Sequence, residues 1–288
     1  MTTYAVTGAT GGLGGSAVRS LLERGVAPGD VVAIVRSPEK ADALRDAGVT
    51  VRVADYGDVD ALTAALAGVD RLFFVSGSEV GQRIAQHTNV VAAARTAGVG
   101  LVAYSSILDA DTNPLTLAAE HVETEKLIAD SGLRYSFLRN NWYWDNYVAG
   151  AGAAIESGTL YGAAGVGKVA GAARDDYAAA AAAVLLRDDP RPIYELAGSE
   201  RLDYTEIAAT IAEISGTPVR YENLPEQAYA AALEGNGIPA PFAGILADSD
   251  AGIAVGALDS DSTDLADLLA RPLVSLADVL KAGLAGHV

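Results

Sequence analysis

The chain has 288 residues, half of them hydrophobic, with 20 Lys and Arg against 37 Asp and Glu and a formal net charge of −17. That size and composition predict a globular protein with a large core, and the acidity argues against nucleic acid or an anionic membrane as partner. The sequence has no cysteine, which excludes disulfides, thiolate nucleophiles and cysteine-bound metals and is compatible with a reducing cytoplasm.

The opening residues "MTTYAVTGAT" lack the basic flank and apolar run of a signal peptide, and no apolar run approaches the ~18 residues of a membrane helix. A cytoplasmic protein is expected. "YAVTG" (4–8) reads as a buried strand, and "LGGSAVRSLLERG" as a helix stopped by Gly25. "VVAIVR" (31–36) is a second strand. "SPEKADALRDAG" is a helix with Ser37 as N-cap and Pro38 at its first position. "VTVRVAD" is a third strand, "DVDALTAALAG" a helix and "RLFFVSG" a fourth strand. "GQRIAQHTNVVAAARTAG" is a helix, "GLVAYSS" a fifth strand, 115–131 a helix and "RYSFLRN" (134–140) a sixth strand. This alternation predicts a parallel sheet covered on both faces.

After residue 140 the rhythm changes. "NWYWDNYVAGAGAAIESG" is aromatic and then helical, and "DDYAAAAAAVLLRDD" (175–189) is a helix whose alanines imply close packing. "IYELAG" and "VRYEN" are short strands; the rest is helical with Gly/Pro-rich turns. The expected architecture is α/β: a Rossmann-like, doubly wound parallel sheet over 1–140 and a smaller C-terminal α/β substrate lobe over 141–288. The two interleave, with segments near 159–200 returning to the core.

"TGATGGLGG" gives Gly8-x-x-Gly11-x-x-Gly14 directly after a strand and at the start of a helix, the setting a dinucleotide fingerprint requires. Gly8 permits the tight turn, Gly11 lets a pyrophosphate approach the backbone, and Gly14 lets helix and strand pack closely. An NAD site places a carboxylate at the end of the second strand. Here that place holds Arg36, with Lys40 one helical turn on, and a guanidinium pairs with a 2′-phosphate. The expected cofactor is NADP(H). Asp55, ending the third strand, either bonds the adenine amino group or is a turn residue before Gly57.

"TGATGGLGG", "VVAIVRSPEKADAL", "VRVADYGD", "SGSEVGQR", "HVETEK", "LRNNWYWDNY" and "ELAG" together resemble the NmrA-like atypical short-chain dehydrogenases. Within them the likeness is to flavin-free NADPH:quinone oxidoreductases and then triphenylmethane-dye reductases. The resemblance implies that Gly8, Ala9, Thr10, Gly11, Gly12, Leu13, Arg36, Ser76, Gly77, Ser78 and the segment Asn140, Asn141, Trp142, Tyr143, Trp144 and Asp145 line the cofactor, with Arg174 a further contact. It points to Asn146 as the polar group beside nicotinamide and substrate. Asn141 stands where the resemblance leads us to expect glycine, a change that would narrow the pocket.

Many short-chain dehydrogenases carry Tyr-x-x-x-Lys, but four residues before Lys126 stands Val122, which has no proton to give. The resembled family generally lacks the tyrosine. A ketone that takes hydride becomes a strongly basic alkoxide. A quinone becomes a hydroquinone monoanion, whose ring delocalises the charge, so an amide or water suffices. The implied substrate is a quinone or similar flat aromatic acceptor, reduced without flavin or metal; a dye, an imine and an activated alkene are the alternatives. Trp142 and Tyr143 either stack the acceptor or pack in the core. Lys126 either bonds the nicotinamide ribose or belongs to a solvated Glu–Lys face. His87 and His121 are proton donors by residue type, or else structural. A second reading is a redox sensor that binds NADP(H) without turnover and signals through the C-terminal lobe. A symmetric homodimer is the default for such a chain.

Overall fold

A computed structural model describes residues 1–79 and 81–285; Val80, inside "SEVGQR", lies outside them. Up to residue 140 the elements are β1 Tyr4–Thr7, α1 Gly12–Glu23, β2 Val31–Val35, α2 Asp42–Asp46, β3 Thr50–Val53, α3 Val59–Ala65, β4 Arg71–Phe74, α4 Arg83–Ala97, β5 Leu101–Ile107, α5 Thr116–Asp130 and β6 Tyr135–Asn140. They continue with α6 Asp145–Ser157, β7 Thr159–Gly162, β8 Lys168–Val169, α7 Arg174–Leu185, β9 Ile193–Leu196, β10 Leu202–Asp203 and α8 Tyr204–Ser215. The last are β11 Arg220–Asn223, α9 Glu226–Gly235, α10 Ala240–Ala254, α11 Asp264–Leu269 and α12 Leu276–Ala285.

The chain forms two compact units: one holds Met1–Ala110, Glu120–Asn140 and Arg174–Glu195, the other Asp111–Ala119, Asn141–Ala173 and the chain from Leu196 onward.

The first unit is built on the sheet β3-β2-β1-β4-β5-β6-β9. The pairings from β3 through β6 are all parallel, for example Val6 beside Ala33 and Phe73. Side chains alternate between faces, as strand geometry demands. Ala5, Val32, Ile34, Leu72 and Phe74 form one core with Leu62 of α3, Val90 of α4 and Ile128 of α5. On the other side α7 packs against α1, and Ala178 through Ala183 are buried along it. The sheet is therefore Rossmann-like and doubly wound. Its strand order reverses between β1 and β4, and ligands bind at the carboxyl ends of strands flanking such a reversal.

One expected helix is not continuous. The stretch from Ser37 to Gly48 is a 3₁₀ turn, Pro38–Lys40, followed by the short α2. Ser37 makes no side-chain cap, and the buried Ala41 breaks the helical path with φ −106° and ψ 10°.

In the second unit β7 pairs with β11 in parallel and β8 with β10 antiparallel. The sequence pattern predicts β11 but not β7, β8 or β10, each four residues or fewer. Trp144 is its largest fully buried side chain, and a β-carbon on Gly171 would lie 2.8 Å from the Trp144 ring. Helix α8 opens on a capping box between Asp203 and Glu206. Among the described residues no helix is long and apolar enough to cross a membrane.

Candidate functional site

The turn after β1 is fixed by sterics. Gly8 has φ +59°, and Gly11 N–H donates to the Gly8 carbonyl at 2.8 Å. A β-carbon on Gly14 would lie 2.4 Å from Gly8 O and 2.8 Å from Thr7 O, so the helix can start this close to the strand only with glycine there. Gly11 caps α1 with extended backbone and no side-chain acceptor, and the first turn carries no acidic residue. The leading N–H groups of α1 are left as donors at the positive end of the helix dipole, a ready anion site. Gly8, Thr10, Gly11 and Gly12 are exposed, Leu13 is half-buried and Ala9 is buried. A β-carbon on Gly12 would meet Arg174 Cδ at 2.9 Å, so Arg174 lies over the start of α1. Next to it Asp175 accepts from Ser16 Oγ at 2.5 Å and from Arg19 at 3.0 Å, tying the start of α7 to α1.

Arg36 is exposed at the end of β2, and its guanidinium donates to Glu79 Oε1 at 2.7 Å. Glu79 Oε2 in turn accepts from Gln86 at 2.9 Å. Lys40 is exposed. Asp55 is also exposed and accepts from Gly57 N–H at 2.8 Å, the geometry of an Asx turn.

The loop after β4 lies beside the glycine turn: a β-carbon on Gly8 would be 3.8 Å from Val75 Cβ. Three successive backbone N–H groups of this loop donate to side chains of three different elements. Val75 N–H donates to Thr7 Oγ1 at 2.9 Å, Ser76 N–H to Ser105 Oγ at 2.8 Å, and Gly77 N–H to His87 Nε2 at 2.9 Å. Arg83 Nε donates to the Gly77 carbonyl at 2.8 Å. Tyr56 Oη lies 2.5 Å from Thr7 Oγ1 and 2.7 Å from Val75 O. Ser76 and Gly77 are half-buried; Ser78 is exposed.

The histidines that residue type alone offered as proton donors have other roles. His87 is fully buried, and burial, helped by Arg83, pushes its pKa down to about 3. It accepts through Nε2, so its proton sits on Nδ1 and is shared with Thr124 Oγ1 at 2.8 Å. His121 is likewise pushed down to about 3 by burial, and its Nδ1 pairs with Tyr104 Oη at 2.9 Å. Both are neutral at physiological pH. Lys126 is exposed on α5 and pairs with Asp130 one turn on; Val122 is 39% exposed.

Two further clusters were not legible in the sequence. In the first unit Arg139, 4% exposed, is gripped by Glu125 through Nε at 3.0 Å and Nη2 at 2.7 Å and reaches Glu195 at 2.9 Å. Ser106 Oγ donates to Glu125 at 2.5 Å. This network anchors the carboxyl end of β6, where Asn140 is buried. In the second unit Asp250 is buried, accepts from Tyr204 Oη at 2.5 Å and from Ala163 N–H at 2.8 Å, and is pushed by burial to a pKa of about 6. The Tyr147 ring packs edge-on against Tyr204 at 5.7 Å.

The aromatic segment also lies in the second unit. Asn141 is buried: its N–H donates to Leu196 O at 2.9 Å, its amide donates to Leu258 O at 3.0 Å, and its Oδ1 accepts from Trp142 N–H at 2.7 Å. These bonds draw the side chain into the unit's interior. Trp142 and Tyr143 are half-buried, Tyr143 bridging to Ala172. Asn146 is exposed in the first turn of α6, with its N–H on Tyr143 O at 3.0 Å. Among the described residues no group of three His, Asp or Glu side chains could hold a metal ion.

A glycine-rich turn opening a helix at a strand-order reversal, with an arginine at the end of the adjoining strand, is the arrangement of a nucleotide-binding α/β protein. Residues 2–251 match the NmrA-like family, and the chain belongs to it. The chain is 52% identical over 275 residues to quinone oxidoreductase 2 of Escherichia coli K12, covering 95% of this chain and 96% of that one. It is 31% identical over 240 residues to the NAD(P)H azoreductase of Xenophilus azovorans, covering 83% and 82%. Among solved structures, the E. coli NADPH-dependent quinone oxidoreductase QOR2 complexed with NADPH superposes with TM-score 0.94 at 51% identity, over 97% of this chain and 99% of that one. The Citrobacter sp. triphenylmethane reductase complexed with NADP(H) gives TM-score 0.93 at 38% identity, over 98% and 100%.

Proposed function

We propose that this chain is an NADPH-dependent reductase that transfers hydride to quinones or similar flat electrophilic acceptors without flavin or metal. One observation carries the cofactor: the Gly8–Gly14 turn opens α1 with uncapped donors, and the adjoining strand β2 ends on Arg36. The acceptor class rests on the 52% identity across almost the whole chain to a quinone oxidoreductase.

The residues present fit such a cofactor. The N–H groups at the start of α1 hold the pyrophosphate, and Arg174 adds charge over that turn. Arg36, with Lys40 nearby, pairs with the 2′-phosphate. These cations supply local positive potential within a chain of net charge −17. Ser76, Gly77, Ser78 and Asn140 line the cofactor at the carboxyl ends of β4 and β6. When bound, NADPH supplies a hydride from its reduced nicotinamide.

The acceptor chemistry needs little from the protein. An O–H bond forms at one quinone oxygen, the hydride's electron pair makes the ring aromatic, and the hydroquinone monoanion left behind takes its second proton at the other oxygen from water. Val122 in place of a tyrosine is consistent with that demand. The Asn146 amide hydrogen-bonds the acceptor oxygen as negative charge grows, and Trp142 and Tyr143 present aromatic faces to a flat ring. Lys126, paired with Asp130, has only an auxiliary part. The enzyme works in the cytoplasm as a homodimer, and light scattering tests the assembly.

The test is NADPH consumption by flavin-free protein with a panel of simple quinones, set against a no-enzyme control. Turnover that falls sharply in Asn146→Ala supports the reading in full. Tight NADPH binding with no turnover across the panel replaces it with a sensor.

A further inference from the structure

We propose that His87 and Arg83 are positioning residues for the reduction: together they hold the Gly77 peptide, and so set the shape of the loop that receives the cofactor. The inference rests on the NADPH-reductase reading above.

A loop leaving a strand end loses its ladder partners, and its backbone groups are normally satisfied by water. This loop sits beside the glycine turn at the reversal of strand order, where a ligand binds. Here the peptide groups are bonded by buried side chains instead. Arg83 is 6% exposed and His87 fully buried. Burying a guanidinium and an imidazole is unfavourable without polar partners, and buried Arg83 Nη1 has the Glu120 carboxylate at 3.2 Å but no hydrogen bond. Both side chains are engaged on one residue, Gly77, the arginine at its carbonyl and the histidine at its N–H.

The histidine can do this in one protonation state only. Its Nε2 accepts from a backbone N–H, so Nε2 carries no proton and Nδ1–H points to Thr124 Oγ1. The Thr124 hydroxyl donates in turn to Glu120 O at 2.8 Å. The Glu120 carboxylate faces Arg83 across 3.2 Å and accepts from Gly81 N–H at 3.0 Å. The loop is thus held at Gly77 and again at Gly81 by one connected set of side chains from α4 and α5. With Thr7 and Ser105 on the two preceding N–H groups, each backbone N–H from Val75 to Gly77 is held by a side chain of the protein itself. Preorganisation of this kind raises affinity by removing an ordering cost.

The experiment compares wild type, His87→Gln, His87→Leu and Gly77→Ala, each checked for folding by circular dichroism. NADPH Kd is measured by fluorescence titration, with steady-state constants for NADPH and benzoquinone. Glutamine keeps an acceptor for Gly77 N–H; leucine does not. Gly77→Ala leaves the core intact and places a β-carbon 3.2 Å from Gln86 Oε1 and 3.5 Å from His87 Nε2, crowding the clamp from the side of the peptide without removing either partner. We expect about a tenfold rise in NADPH Kd and KM in His87→Leu, a severalfold rise in Gly77→Ala, and His87→Gln within about threefold of wild type. In the His87 variants the quinone KM and the kcat at saturating NADPH should change by less than about twofold. Folded His87→Leu and Gly77→Ala proteins with wild-type NADPH Kd would overturn the assignment, even if their Tm had fallen, and so would a glutamine variant as weak as the leucine one. A wild-type protein that binds no NADPH is a different result, which removes the reductase reading itself.

Discussion

The Arg36 guanidinium and the Glu79 carboxylate meet at 2.7 Å, at the place where the adenosine 2′-phosphate is expected. An exposed pair of this kind adds little to stability. A 2′-phosphate bound by Arg36 would have to share it with Glu79 or displace Glu79. Arg36→Ala should raise KM for NADPH by roughly tenfold or more while leaving NADH within about threefold. Glu79→Gln removes the competitor and should lower KM for NADPH severalfold. Parallel kcat/KM measurements with both cofactors check this, and equal losses for both in Arg36→Ala would count against a 2′-phosphate site.

Gly14→Ala should damage stability and binding together, because its β-carbon would overlap backbone oxygens of Gly8 and Thr7. A loss of about 1–3 kcal/mol and no measurable NADPH binding are expected. Gly152→Ala is the contrasting control. It lies in α6 with nothing within 4 Å of the added carbon, so it should be neutral or stabilise by up to ~1 kcal/mol. Chemical denaturation of both variants tests the contrast.

Glu125→Ala should unfold at lower denaturant than wild type. It removes both of Arg139's bonds to Glu125 and strands a buried guanidinium with Glu195. Breaking a buried pair costs roughly 3–5 kcal/mol. A change below about 1 kcal/mol would mean that water or Glu195 compensates.

Stability should respond to pH through groups of opposite sign. His87 and His121 are held near 3 in the folded chain against about 6.5 when unfolded. The unfolded state takes up protons first, so their contribution is full above about pH 6.5 and declines as pH falls towards 3. Asp250 is raised to about 6, so the folded state binds its proton more tightly. That group favours folding below about pH 4, and the benefit is lost as pH rises through 6. Denaturation midpoints from pH 4 to 8 should therefore show a shallower acid limb in His87→Gln and a steeper one in Asp250→Asn. Parallel curves for all three proteins would reject both assignments.

The sheet was legible because strands buried on both faces read as apolar runs, and because Gly25, Gly98 and Gly132 punctuate the alternation. The glycine turn was legible from its spacing, and Arg36 from its place at a strand end. The clamp on Gly77 was not. Arg83 and His87 are polar residues in a helix, a pattern that ordinarily marks a solvated face, and only the tertiary fold turns them inward. Asp250 was hidden for another reason: its partners Tyr204 and Ala163 are 46 and 87 residues away. The strands β7, β8 and β10 are too short to show a period. Asn141 illustrates a subtler limit. Its identity drew attention to the pocket, but three hydrogen bonds draw it into the interior of its unit.

The most direct test of the account is a single-turnover measurement. Flavin-free wild-type protein in excess over NADPH is mixed rapidly with benzoquinone, and the near-ultraviolet absorbance of the cofactor is followed. Direct hydride transfer predicts oxidation of bound NADPH at least ~10³-fold faster than of free NADPH at the same quinone concentration. A bound cofactor that is oxidised no faster than the free one would contradict it.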